Sequence, residues 1–166
     1  VYHTLKIISC GGLFSDRIAS LTEEDNDLRI IPFRGEYFKL RAEKQYLVKH
    51  LIYPVPNPEF PFLGVHFTRM IYGGIEAGPN AVLAFKREGY KFSDFSFKDM
   101  TENLTWPGFW KIVAKYSQTG MGEIYRSLSK SAFTSALQKL IPEIRVSDLI
   151  PGGAGVRAQA CDRKGN

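Results

Sequence analysis

Gly73-Gly74 turns the middle of this chain back on itself. Before it lies the apolar, β-branched run 65–71, and after it a return run that begins at Ile75. Glycine has no Cβ to clash at the positive φ angles of a tight turn, so the pattern predicts a β-hairpin. Pro54, Pro56, Pro58 and Pro61 precede it. Proline fixes φ and lacks an N–H, so this stretch cannot be helical and predicts an extended lead-in.

The hairpin carries chemistry. His66, Thr68 and Arg69 stand on its outgoing strand, and Gly78-Pro79-Asn80 interrupts the return. Such a cluster can present polar groups to a small anion; decoration of a solvated face is the other reading. Alternation puts His66, Thr68 and Met70 on one face and Phe67, Arg69 and Ile71 on the other. His66 and Arg69 therefore share a pocket only across a bulge, and His66 with Thr68 is the pair to follow.

A chain of 166 residues with 44% apolar content can bury one domain's core. Its 22 Lys and Arg against 17 Asp and Glu leave a net charge of +5. The basic residues are scattered, which predicts a solvated surface and no nucleic-acid partner. Two cysteines, Cys10 and Cys161, suit neither a disulfide scaffold nor a Cys-based zinc site, so buried reduced thiols and no metal are expected. No apolar run approaches the roughly 20 residues that span a bilayer, and no targeting segment is recognisable.

Residues 4–10 read as a strand buried on both faces. Gly11-Gly12 then turns the chain into a short helix capped by Ser15 or Asp16, a layout that offers free N–H groups to an anion or cofactor. A strand follows over 29–40, with Gly35 marking a bulge or a close backbone approach by a ligand and Arg34 either a ligand contact or an edge residue. Residues 45–53 predict a further, central strand.

The second half turns helical. Residues 93–100 read as a loop or short helix. Thr105 as N-cap and Pro107 in the first turn start a helix that reaches Tyr116. Gly120 and Gly122 break the pattern, and shorter helices follow through Leu128 and over 131–141. Trp106 and Trp110 read as packing residues, and Gly120-x-Gly122 follows no strand and is not a dinucleotide fingerprint. Last, the glycine-rich loop 151–155 leads into Arg157, whose guanidinium can hold a carboxylate bidentately. The expected fold is α+β: a mostly antiparallel, mixed sheet from 28–85 and about 156–161, with helices between 97 and 141 packed on it.

YPVPNPEFPFLGVHFTR, then GPNAVLAFKREGY and GGAGVRAQ, resemble the FAD-dependent L-2-hydroxyglutarate oxidases and dehydrogenases, within the D-amino-acid-oxidase-like flavoproteins. The likeness runs from ISCGGLFSDRIA through FRGEY to GVRAQACD. It implies a flavoenzyme that oxidises a small dicarboxylate 2-hydroxy acid to 2-oxoglutarate. Residues 1–27 would be a remnant of the flavin-binding domain and 28–166 the substrate-binding domain, cut before the C-terminal flavin-contacting segment. With no GxGxxG, this fragment is expected to be inactive alone. By the resemblance, Gly11, Gly12, Arg34, Gly35 and Gly155 lie along FAD, and Arg157 grips the C1 carboxylate. Ala158-Gln159 stands where relatives have Arg-Pro. Chemistry nominates His66 as the base for the hydroxyl proton, since an imidazole titrates near neutrality. Thr68, Asn80, Tyr53 or Arg69 would serve the second carboxylate. The resemblance further implies an intracellular enzyme, cytoplasmic or peripheral at the inner membrane. A non-catalytic binding module and a flavoenzyme acting on an amino acid are the competing readings.

Overall fold

Strand β1, Leu28–Leu40, is the strand on which the rest is assembled. The structure is a computed structural model that describes residues 3–22, 26–55 and 64–166. The acidic residues 23–25 and most of the proline-rich lead-in, 56–63, lie outside the described residues. One edge of β1 pairs along its whole length with β5, Leu149–Asp162. The other edge pairs first with β4, Val82–Leu83, and then with β3, Ile75–Gly78. Strand β2, His66–Arg69, completes the sheet beside β3. Every one of these pairings is antiparallel, so the mixed sheet gives way to a fully antiparallel one among the described residues. The expected hairpin is present, with Gly73 and Gly74 at φ of 90° and 89°.

Among the described residues five α-helices flank the sheet: α1 Ser15–Ala19, α2 Phe97–Leu104, α3 Pro107–Lys115, α4 Ser117–Leu128 and α5 Lys130–Leu137. They form an α+β fold with two cores, because successive residues of β1 point to opposite faces. Leu40, with Phe67, Ile75 and Ala77, packs on Phe133 and Leu137 of α5. On the other face, toward the opposite end of β1, Ile31 and Phe33 pack with Cys161 on Trp106 and Phe109 of α3. Gly35 and Tyr37 follow Phe33 on that second face but belong to neither core.

Helix α3 is seated without a spacer. A Cβ on Gly108 would come within 1.9 Å of the Asp162 carbonyl oxygen and 2.8 Å of the Cys161 sulfur. Gly108→Ala is therefore expected to lower stability by about 1–3 kcal/mol or more, because backbone rather than a flexible side chain must move. A urea melt measures it, and an unchanged midpoint would show that α3 can lift away freely.

A buried ionic cluster ties the first helix to α2. Arg87, 1% exposed, holds both oxygens of Asp16, with Nη2 to Oδ2 at 2.7 Å, and also donates to the Leu13 carbonyl and to Glu102. Arg17 bonds Asp99 and Glu102. The Ile30 N–H donates to Asp16 at 2.9 Å, which joins the cluster to β1. Asp16 thus serves Arg87 instead of capping its helix, and Phe14 holds the N-cap position with no side-chain bond.

Several expectations are corrected. Residues 4–10 form no strand, and Leu5, Ile7 and Ile8 are 83–102% exposed. Both edges of β1 are taken, and an apolar run supplies no pairing edge of its own. Cys10 is accordingly exposed, while Cys161 is buried. Residues 45–53 are not a central strand: a 3-10 turn covers Ala42–Leu47, Val48 drops into the core, and Ile52 makes one bridge to Phe67. Helix α4 runs through Gly120 and Gly122, although each glycine costs about 1 kcal/mol in a helix. Glu123 accepting the Ala81 N–H and Ser127 bonding Glu36 hold it there. Trp106, not Thr105, occupies the N-cap position of α3 and is buried, whereas Trp110 is half-exposed. The glycine run 151–155 is part of β5 and not a loop, its extra residue absorbed as a bulge opposite Tyr37 and Phe38.

Candidate functional site

The site begins where β3 hands over to β4. Phe38 faces Ala77, but Arg34 faces Val82, so one extra residue is inserted between the two pairings. Gly78-Pro79-Asn80-Ala81 absorbs it, with a cis bond between Gly78 and Pro79. Gly78 has a φ of 140°, and a Cβ there would come within 2.7 Å of the Glu36 carbonyl. Gly35 lies beneath the crossing, where a Cβ would meet Pro79 at 2.5 Å and the Asn80 oxygen at 2.7 Å. The chain itself, at Pro79 and Asn80, thus makes the close approach that Gly35 allows.

Polar bonds on the far side of β1 hold the crossing. Asn80 Oδ1 accepts the Glu36 N–H at 2.6 Å, and its Nδ2 donates to Glu36 Oε2 at 3.3 Å. The Ser127 hydroxyl donates to that same oxygen at 2.6 Å, and Arg34 bonds Oε1 at 3.1 Å. Arg34 is 4% exposed and its guanidinium lies 3.6 Å from the Phe92 ring centroid. By alternation along β1 it faces away from Gly35 and Tyr37, so it is a structural residue there and not an edge one.

On the near side the crossing walls a cavity of about 310 Å³. Phe33, Gly35 and Tyr37 of β1 form its floor; Pro79, Asn80 and Ala81 form one wall, and Gly155, Val156 and Arg157 of β5 the other. Four of the nominated residues, Gly35, Asn80, Gly155 and Arg157, thus meet at one place. Arg157 is exposed and lies opposite Phe33 in the sheet.

His66 shares this sheet face. It pairs with Gly78, which in turn lies against Tyr37. Its Nδ1 stands 3.1 Å from the Gly64 carbonyl, and its ring stacks on Tyr53 with centroids 4.3 Å apart. Thr68 follows one row along, opposite Glu76, and is half-buried. Arg69 turns to the other face and donates twice to the Val48 carbonyl, at 2.9 and 3.2 Å. Gly11 and Gly12 do not line the cavity; a Cβ on Gly11 would strike Ile18 at 2.4 Å, so that glycine serves packing.

Sequence reasoning missed Tyr37. Burial raises its phenol above the usual tyrosine value; the Arg157 charge opposes this, and Glu76 and Tyr53 add to it. The signal was available: two residues beyond Gly35 on a strand means the same face.

A family model described as FAD dependent oxidoreductase, DAO, matches residues 1–165. The chain belongs to this family. It is 64% identical over 165 residues to an L-2-hydroxyglutarate dehydrogenase of Indibacter alkaliphilus, covering 99% of this chain and 41% of that protein. It is 51% identical to the mitochondrial L-2-hydroxyglutarate dehydrogenase of Caenorhabditis elegans, again over 99% of this chain and 38% of the relative. With L-2-hydroxyglutarate dehydrogenase of Escherichia coli (strain K12) the identity is 49%, over 99% and 39%. The chain thus spans about 40% of the length of these curated relatives.

The family's FAD can be tested against the residues present. Gly153 and Gly155 leave β5 backbone bare beside the cavity: a Cβ on Gly153 would meet nothing within 4 Å, and one on Gly155 only the Tyr37 ring at 3.7 Å. Bare backbone of this kind fits the flat face of a flavin ring. The sequence supplies no GxGxxG phosphate loop, so these residues suit the ring end of the dinucleotide alone. Among the described residues no group of three His, Cys, Asp or Glu could hold a metal, and no helix is long and apolar enough to cross a membrane.

Proposed function

We propose that this chain forms the substrate-binding part of an FAD-dependent enzyme that oxidises L-2-hydroxyglutarate to 2-oxoglutarate. Residues 28–166 would be the substrate domain and 1–27 a part of the flavin domain. The observation that carries the reading is a guanidinium, Arg157, at the wall of a cavity walled by β1, β5 and the Pro79–Ala81 crossing, in a chain aligned almost throughout with dehydrogenases of that name. FAD, when bound, accepts the C2 hydrogen with its electron pair. The residues of this chain bind, orient and move the proton.

Arg157 holds a substrate carboxylate through two parallel N–H bonds. His66 accepts the hydroxyl proton. The Gly64 carbonyl beside Nδ1 can only accept, which puts the imidazole proton on Nδ1 and leaves the Nε2 lone pair open as the base. Stacking on Tyr53 fixes the ring plane. Of the four residues nominated for a second carboxylate, Arg69 is bonded on the other face and Asn80 is committed to Glu36. Thr68 and Tyr53 remain, on the same side as His66.

In the FAD-loaded protein, His66→Asn is expected to lower kcat by about 100-fold or more while the fold survives. Steady-state kinetics beside melting curves check this, and a near-normal kcat in a folded variant would remove His66 from the role. Turnover of L-glutamate in preference to L-2-hydroxyglutarate by the unsubstituted protein would overturn the substrate assignment.

A further inference from the structure

Tyr37 has no assigned task, yet it lies at the floor of the cavity. The residues around it have been kept small. A Cβ on Gly78 would come within 3.3 Å of its Cδ1, one on Gly155 within 3.7 Å of its Cε2, and Gly153 faces it directly across β5. The ring therefore lies between β3 and β5 with glycine on either side, and its backbone is fixed by the β1–β5 ladder. A planar side chain held in this way presents its hydroxyl at a set place at little entropic cost.

That hydroxyl donates to no protein acceptor among the described residues, and the residue is half-buried at the cavity floor. It is not among the buried polar atoms left without a partner, so it is open at the cavity floor, where a bound group can take its hydrogen bond. Its electrostatic neighbours are Arg157 on one side, and on the other Glu76 and Tyr53, which is stacked on His66. It stands between the group that takes a carboxylate and the group that takes a proton.

We propose that Tyr37 is a substrate-positioning residue, its phenol hydroxyl donating a hydrogen bond to the carboxylate that Arg157 holds. The inference rests on the function proposed above. Arginine alone fixes a carboxylate in one plane but allows it to rock; a donor from a second strand fixes the rotation and aims C2 toward His66. Burial keeps the phenol protonated, and so a donor, through the neutral range. The alternative is that the ring merely covers glycine backbone, in which case its hydroxyl is dispensable.

Tyr37→Phe in the full-length FAD-loaded protein removes the hydroxyl and keeps the ring. Calorimetric titration with 2-oxoglutarate, the product diacid, is expected to show affinity falling about tenfold or more, with the melting temperature unchanged. Combined with Arg157→Lys, the two losses should multiply to less than their product, because both groups hold one carboxylate. A second reading needs no variant: the ¹³Cζ resonance of Tyr37 should shift when 2-oxoglutarate is added. Affinity within twofold of the parent, or a Cζ resonance that stays in place at saturation, overturns the role of Tyr37 and leaves the proposed function standing. A parent protein that binds neither 2-oxoglutarate nor L-2-hydroxyglutarate overturns the proposed function itself.

Discussion

Asp16→Asn is expected to destabilise the protein by up to about 3–5 kcal/mol, because it leaves the buried Arg87 guanidinium with Glu102 alone as counter-charge. Burial alone would raise the Asp16 carboxyl, but the Arg87 bonds and the Ile30 and Arg17 N–H groups outweigh it and hold the value below that of a free aspartate. Asp99 is depressed in the same sense, with burial opposed by the Arg87 N–H and by Arg17. A carboxyl with a lowered folded value binds fewer protons in the native state than in the unfolded chain. Its stabilisation is complete above the unfolded value near 4 and is lost as pH falls through the folded one. Urea midpoints should therefore be level at neutral pH and drop on acidification below about pH 4. The Asn variant should start lower and lose less, keeping the slope due to Asp99 and Asp162. Equal slopes in the two proteins would show that Asp16 is not the charged partner of Arg87.

Arg157→Lys is expected to reduce kcat/KM for L-2-hydroxyglutarate by roughly 30- to 1,000-fold, although the charge is kept. An ammonium cannot reproduce the two-pronged fork, and a charge-assisted pair lost from a partly desolvated site is worth on the order of 2–4 kcal/mol. Exposed on β5, Arg157 makes no contribution to either core, so the melting temperature should scarcely move. Near-normal kcat/KM in the folded variant would remove Arg157 as the anchor.

What the sequence disclosed depended on how local the cause was. The hairpin was legible because Gly73-Gly74 and the runs beside it settle it among themselves. Strand β1 was legible from its β-rich composition. Residues 45–53 have equally strand-like residues, yet the core took Val48 and left Leu51 exposed, a tertiary outcome that propensity does not carry. The glycines at 152–155 resemble a loop until β1 is present to pair with them. At the candidate site the conspicuous residues Arg157, Asn80 and the flanking glycines could be nominated one by one. Their convergence depends on a one-residue offset between β3 and β4, which no composition reveals. Tyr37 was overlooked because tyrosine is so often a packing residue, although the alternation that places it beside Gly35 was in plain view.

The ladder between β1 and β5 also sets an order on synthesis. Leu28 pairs with Asp162 and Leu40 with Leu149, so the earlier strand must wait for a partner made much later in the chain. Until the ribosome has released residues 149–162, the hairpin and α5 can gather, but one full edge of β1 stays open. Ile31 likewise lacks Cys161, the β5 member of its core, until then. Pairings so distant in sequence close slowly, and an unpaired apolar edge in the interval invites association with other nascent chains. Ribosome-bound intermediates stalled before residue 149 should therefore be protease-sensitive throughout β1, and those released beyond Asp162 should not.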